Sequence, residues 1–257
     1  MAQSINNDFY DALGERWYEA YDDPVALLRA EARHLTPWVL DRISASFGGE
    51  SVRVLDLGCG AGFLSNALAK HGHAVTGLDA SEPSLAVAAR RDATKRVRYL
   101  LGDACSLPFG DAGFDVVTAM DFLEHVETPE TVVLEASRVL APGGLFFFHT
   151  FNRNFVAEMV VVKGVEWFVR NTPPKMHLLR LFLKPSELTA LCRSHALSVC
   201  EIRGVRPELR LRPFWRLVAT GIVDQDFAFR FTSSTLVAYA GVARKAAAHQ
   251  PRAAVSA

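Results

Sequence analysis

The order of apolar and polar positions changes period several times along the chain. Residues 27–47 carry apolar side chains at helical spacing, and Gly48-Gly49 ends the run. Residues 52–56 form a short apolar run that leads into glycines, followed by a helical stretch over 63–71. The pattern predicts further strands over 74–79, 96–101, 114–120 and 144–150, with helices over 82–91 and 128–140. Strand and helix alternate at short intervals, which argues for parallel crossovers in one doubly wound α/β sheet.

Outside this stretch the rhythm differs. Residues 1–36 read as helical and partly exposed, with Phe9, Tyr10, Trp17, Tyr18 and Tyr21 set among acids. Such a leader either covers a core face or packs over a site as a lid. Residues 154–183 mix apolar residues with Glu158, Lys163, Glu166 and Arg170, while 185–195 predict a helix and 197–205 and 235–243 two late strands. The expected organisation is a single domain over 1–244, made of a helical cover (1–47), the sheet, and a helical insertion or lid (154–184). A flexible, alanine-rich tail (245–257) follows.

Composition narrows the class. The chain has 257 residues, half of them hydrophobic, which excludes global disorder and suffices for one sizeable core. Its 28 basic and 28 acidic side chains cancel, so nucleic acid is not the expected partner. Cys59, Cys105, Cys192 and Cys200 show no CxxC spacing, so neither a zinc cluster nor a disulfide framework is expected, and a reducing compartment is the simplest reading. The polar, acidic start does not read as a signal peptide, and no apolar run approaches the roughly 20 residues of a membrane span. A soluble, cytoplasmic protein is expected.

The strongest chemical feature is Asp56-Leu-Gly58-Cys-Gly60-Ala-Gly62, placed between a predicted strand and helix. Glycines there let the backbone turn tightly and approach a ligand. A bare GxGxG suits many nucleotide-type cofactors, so its neighbours decide. A carboxylate at Asp56 would repel the pyrophosphate of a dinucleotide, and Phe63 stands where the dinucleotide fingerprint wants glycine or alanine. S-adenosylmethionine carries an ammonium and a sulfonium and no phosphate, so an acid at the loop mouth favours it. Asp79 ends the second strand, where a carboxylate can accept both ribose hydroxyls, and Asp103 ends the third, within reach of an adenine amino group. Each acid alone also fits a cap or turn; their coincidence at strand ends points to S-adenosylmethionine.

A second cluster, Met120-Asp121-Phe-Leu-Glu124-His125, follows the fourth strand at the carboxyl edge, where doubly wound sheets bind ligands. In one helical turn, positions 121, 124 and 125 share a face, so two carboxylates and an imidazole can converge on a divalent ion. The competing reading has Asp121 capping the helix, Glu124 in solvent and His125 packed against the loop.

The motifs VLDLGCGAGFLS, VTGLDAS, the GDA at 102–104, FDVV and LAPGG resemble those of class I methyltransferases. This resemblance implies a Rossmann-like seven-stranded sheet with an antiparallel last strand, and S-adenosylmethionine as cofactor. The block MDFLEHVETPE, then LAPGGLFFFHTFNRN and KGVEWFVRNTPPKMHLLRLFLKPSEL, is similar to the ubiquinone-biosynthesis O-methyltransferases from about Leu27 to His195. That resemblance implies metal ligands at Asp121, Glu124 and His125, with aspartate where glutamate is common at the first position, and magnesium as the expected ion. It also implies cofactor contacts at Arg29, Gly58, Asp79 and Met120, and a phenolic, polyprenylated acceptor.

A phenol with a pKa near 10 is a poor nucleophile at neutral pH, and a dication would favour its phenolate. His149 and His177 are candidate bases, each also explicable as a structural histidine, and Asn152 and Arg153 either shape the acceptor pocket or hydrogen-bond at the strand end. The apolar residues of 155–170, with Lys163, Glu166 and Arg170, form an amphipathic helix. It covers the core, lines a lipophilic channel, or contacts a membrane surface over 155–180, with Lys163, Trp167, Arg170, Lys175 and Arg180 near headgroups. Methylation of another small phenol, and a scaffold that has lost its chemistry, remain the alternative functions.

Overall fold

The computed structural model describes residues 8–247. Eight strands form one mixed sheet: β1 (Arg53–Leu57), β2 (Ala74–Asp79), β3 (Arg98–Leu101), β4 (Phe114–Met120), β5 (Leu140–Phe151), β6 (Leu197–Pro207), β7 (Phe229–Thr232) and β8 (Ala238–Lys245). Their order is β3-β2-β1-β4-β5-β8-β6-β7. β1 to β5 pair in parallel, whereas β8 runs antiparallel to β5 and β6, and β7 antiparallel to β6. The expected seven strands are therefore eight: β7 adds an outer edge. It pairs through Gly204–Pro207, where a glycine admits the close backbone approach: a Cβ at Gly204 would stand 1.8 Å from the Ser234 carbonyl oxygen.

Side-chain alternation splits the core between the two sheet faces. Leu55, Leu57, Phe146 and Phe148 point to one face, against Val132, Val133 and Ala136 of α6 (Pro129–Val139) and Leu188 and Cys192 of α9 (Pro185–Ser194). Val54, Val116, Leu145 and Phe147 point to the other, against Leu35, Trp38, Val39 and Ile43 of α3 (Val25–Phe47) and Leu64 and Leu68 of α4 (Phe63–Lys70). Both faces are covered, so β4 and β5 read as continuous apolar runs. α5 (Glu82–Arg91) opens on Ser81, whose hydroxyl accepts from the Ser84 amide.

Three stretches differ from the periodicity. The leader is two short helices, α1 (Asp8–Asp11) and α2 (Arg16–Glu19), because Gly14 (φ +50°) and Pro24 interrupt it. The insertion follows a helical path from α7 (Phe155–Ala157) through a π-helical segment, Glu158–Lys163, into α8 (Gly164–Phe168). An amphipathic helix absent from the sequence reading, α10 (Arg212–Thr220), lies between β6 and β7 and packs on α8. Of the expected tail, residues 248–257 lie outside the described residues. No helix among the described residues is long and apolar enough to cross a membrane.

Candidate active site

The sheet order reverses between β1 and β4, and the glycine loop leaves β1 at that point, where open α/β sheets bind ligands. Gly58, Gly60 and Gly62 all take left-handed φ values of +64°, +51° and +78°, a conformation that a Cβ disfavours. The loop is also crowded. A Cβ at Gly58 would fall 2.2 Å from the Phe122 ring, and one at Gly62 would fall 2.3 Å from the Tyr99 hydroxyl. The Gly58 and Cys59 amides donate to the Leu78 carbonyl, tying the loop to β2.

A cavity of about 470 Å³ opens beside this loop. Asp56, Gly58, Gly60, Asp79, Asp103, Met120, Asp121 and His125 all line it, so the structure brings together most of the residues picked out along the chain. Their roles differ. Asp79 accepts from the Gly60 amide (2.8 Å) and the Ser81 amide (2.9 Å), placing its carboxylate at the loop, and burial raises its pKa. Asp103 is exposed and caps its own turn by accepting from the Cys105 amide. Asp56 does not present a free carboxylate. Its oxygens accept from the Ser65 and Thr118 hydroxyls at 2.6 Å each, so it joins β1 to α4 and β4, and burial pushes its pKa up to about 6.

The aromatic leader roofs the cavity. Tyr10 stacks on Trp17 with centroids 5.5 Å apart, and its edge meets His125 at 5.7 Å. The Tyr18 hydroxyl donates to the Ala61 carbonyl, and the Ser81 hydroxyl donates to Asp11. Arg29, expected at the cofactor, is outside the cavity lining. Its guanidinium donates to the Trp17 and Ala20 carbonyls and so holds the roof in place. The tyrosines and Trp17 could be seen in the sequence as aromatic, but their convergence on the loop depends on the bend at Gly14.

The turn after β4 departs from the expected arrangement. Asp121 has φ +51°, and Leu123–His125 form a single 3-10 turn rather than a face of an α-helix. Glu124 is 1% exposed; its Oε2 accepts from Thr150, and its Oε1 has no partner. Burial, with the nearby Asp121, raises its pKa to about 8. His125 turns its ring to the cavity wall, and its Nδ1 is buried without a partner. Asp121, Glu124 and His125 therefore do not converge. The donor atoms that do lie together, within 4.8 Å of one another, belong to Glu31 of α3, Asp121 and His149 of β5.

The two histidines expected as bases also fall into place. His149 Nδ1 is 2.6 Å from Asp121 Oδ1. Burial works against its charge, but the Asp121 carboxylate outweighs it and its pKa rises to about 9, so at neutral pH it holds a proton rather than accepting one. His177 stands behind His125, rings 5.7 Å apart, away from the cavity wall, and burial depresses its pKa to about 3. His125 is depressed to about 4 by the same cause and is neutral. Asn152 donates to the Thr235 carbonyl and Arg153 pairs with Glu187, the strand-end hydrogen bonding that competed with an acceptor-pocket role.

Comparison with known proteins agrees with this geometry. Residues 55–148 match the family model described as a methyltransferase domain. A magnesium protoporphyrin IX methyltransferase from Synechocystis with bound S-adenosylhomocysteine superposes with a TM-score of 0.64 at 17% identity, covering 93% of this chain and 98% of that one. An S-adenosylmethionine-dependent methyltransferase from Thermotoga maritima gives 0.59 at 19% identity, covering 92% and 97%. These two show the fold. Two curated proteins named ubiquinone biosynthesis O-methyltransferase, from Aromatoleum aromaticum and Azoarcus sp., are 36% and 37% identical over 76% of this chain and 83% of theirs. With a cavity built at the switch point of the sheet and this identity over most of its length, the chain belongs to the ubiquinone biosynthesis O-methyltransferase family and is an S-adenosylmethionine-dependent O-methyltransferase.

Proposed function

We propose that the protein methylates a phenolic hydroxyl on a polyprenylated catechol or quinol ring, with S-adenosylmethionine held in the roofed cavity at the β1–β4 switch point. The observation that carries this reading is the cavity wall itself, which the glycine loop and Asp79 share with Tyr10, Asp121 and His125. The relatives named for ubiquinone biosynthesis supply the acceptor class.

In the transfer, the phenolic oxygen forms a bond to the sulfonium methyl as the S–C bond breaks. S-adenosylhomocysteine leaves, and the phenolic proton must go to a base. His125 is suited to this step because it is neutral at physiological pH and lines the cavity. The phenol becomes far more acidic as its oxygen gains the methyl, so a weak base suffices if the proton leaves late. The roof orders the reactants and excludes water. His177 supports the His125 ring from behind.

A divalent ion is part of the reading taken from the family. The turn bearing Asp121, Glu124 and His125 does not bring its donors to one point, Glu124 Oε2 being taken by the Thr150 hydroxyl. A membrane surface is the source of a polyprenylated acceptor, approached from the cytoplasmic side. Phe155, Val156, Val160, Trp167 and Phe168 are exposed on the insertion, Phe155 by 72%, and α10 adds Trp215 beside Arg212.

The test is incubation of the purified enzyme with methyl-labelled cofactor and a short-chain polyprenyl catechol, followed by mass spectrometry. One added methyl on the ring oxygen is the expected product. Transfer only to unprenylated phenols would replace the proposed acceptor with a small soluble one, and no transfer to any phenol would defeat the reading.

A further inference from the structure

We propose that Tyr18, Asn66 and Tyr99 are positioning residues for the cofactor: they form a hydrogen-bonded chain that holds the glycine loop in its binding shape only while the leader is docked. Tyr99 on β3 donates to Asn66 Oδ1 on α4 at 2.7 Å. Asn66 Nδ2 donates to the Tyr18 oxygen on α2 at 3.4 Å, and Tyr18 donates to the Ala61 carbonyl inside the loop at 2.8 Å. None of the three side chains is in the lining of the cofactor cavity, so they act through the loop.

The chemistry of the groups fixes the direction of the chain. Asn66 Nδ2 also lies 3.2 Å from the Ala88 carbonyl of α5, which can only accept, so the amide turns its nitrogen there and its oxygen to Tyr99. The second N–H of Asn66 reaches the Tyr18 oxygen, which leaves the Tyr18 proton for the Ala61 carbonyl. Burial raises the Tyr18 pKa, so the hydroxyl keeps the proton it donates.

The loop needs an outside hold because Gly58, Gly60 and Gly62 carry more backbone freedom than any other residue type. Ala61 sits between Gly60, whose amide donates to Asp79, and Gly62, whose amide donates to the Cys59 carbonyl. Fixing the Ala61 peptide therefore steadies the amide that orients the Asp79 carboxylate. A Cβ at Gly62 would stand 2.3 Å from the Tyr99 hydroxyl and 3.2 Å from Asn66 Nδ2, so the chain lies directly against the loop. Of the three side chains only Tyr18 belongs to the leader. Its ring meets Phe63 edge to face, centroids 5.0 Å apart, and Arg91, which pairs with Glu15 and Glu19 of the leader, lies over it at 4.9 Å. With the leader undocked, the Ala61 carbonyl and one Asn66 N–H lose their partner, so loop order and roof closure are linked.

The test uses the full chain and S-adenosylhomocysteine with no acceptor present, so it stands or falls separately from the acceptor reading. By calorimetry, Tyr18→Phe and Asn66→Leu should each raise the Kd about tenfold, and the double variant should be within about twofold of the weaker single one, because one break opens the chain. Hydrogen exchange separates positioning from stability. S-adenosylhomocysteine should slow exchange of the leader amides over 8–19 in the wild type, and Tyr18→Phe should lose about half or more of that added protection. A purely structural hydroxyl would lower the urea midpoint and leave the Kd and the protection unchanged. A Kd within about twofold of wild type in Tyr18→Phe would overturn the proposal, as would single effects that multiply in the double variant. Should Asn66→Leu fail to fold, Tyr99→Phe takes its place, since it removes only the hydroxyl at the far end of the chain. A rise in Kd of about threefold supports the chain, and an unchanged Kd refutes it.

Discussion

The indole of Trp17 lies over Gly60, near enough that a Cβ on the glycine would stand 3.3 Å from the ring. The leader and the cofactor loop are thus in contact, and the leader is part of the site. Trp17→Ala removes this roof and the stacking partner of Tyr10. Cofactor affinity is expected to fall about tenfold, the cost of about 1.4 kcal/mol of lost apolar contact, as measured by calorimetry. Trp17→Phe should recover most of it.

The loop glycines are not equivalent to other glycines with positive φ. At Gly58 a Cβ adds a clash with Phe122 to a left-handed backbone, whereas Gly49 (φ +82°) has nothing within 4 Å. Gly58→Ala is expected to weaken cofactor binding about a hundredfold, combining an overpacking cost with the left-handed penalty. Gly49→Ala should cost about 1 kcal/mol of stability and leave the Kd unchanged.

Asp56 makes stability depend on pH. Burial raises its folded pKa to about 6 from an ordinary 3.8, so the folded state holds the proton more tightly than the unfolded chain. Its stabilising contribution is complete below the unfolded value and is lost as pH rises through about 6. Asp56→Asn cannot titrate. Between about pH 4 and about pH 7, urea denaturation should show the wild type losing on the order of 3 kcal/mol relative to the variant.

His125 as proton acceptor separates chemistry from binding. His125→Asn should lower kcat by about 10²-fold or more while the cofactor Kd stays within about twofold. Stopped-flow single turnovers with a soluble catechol measure the chemical step directly. An equal fall in cofactor affinity would point to a packing role beside Tyr10 instead.

Contact with lipid predicts a third separation. Phe155→Glu combined with Trp167→Glu places two charges on the exposed face of the insertion. Co-sedimentation with anionic vesicles should drop about tenfold or more, given the 1.5–3 kcal/mol worth of each buried aromatic. Turnover of a water-soluble catechol should not change, because neither residue lines the cavity.

Much of the architecture was legible along the chain. β2, β4 and α5 have the bounds their periodicity predicts, since alternation and helical spacing are local and each segment is long enough to show them. The glycine loop could be read for the same reason: a tight turn and a close ligand approach impose their demand on a few consecutive residues. β7 was missed because Phe229–Thr232 is a four-residue edge strand whose pairing with Gly204–Pro207 supplies what its short pattern lacks.

The site divides along the same line. Sequence alone determined the doubly wound sheet, the cofactor loop and the acids near the carboxyl ends of β1 and β2, because each depends on neighbours in the chain. Only the tertiary structure decided that Arg29 holds a roof, that Asp56 is spent on Ser65 and Thr118, and that Asp121 meets His149 and Glu31 rather than Glu124 and His125. Helical spacing assumed an α-turn after β4. The left-handed Asp121 and the 3-10 turn rotated Glu124 inward to Thr150, and packing of α3 across the strand ends delivered a carboxylate from far along the chain. Spacing is a property of one element, whereas a cluster drawn from three elements is set by how they pack.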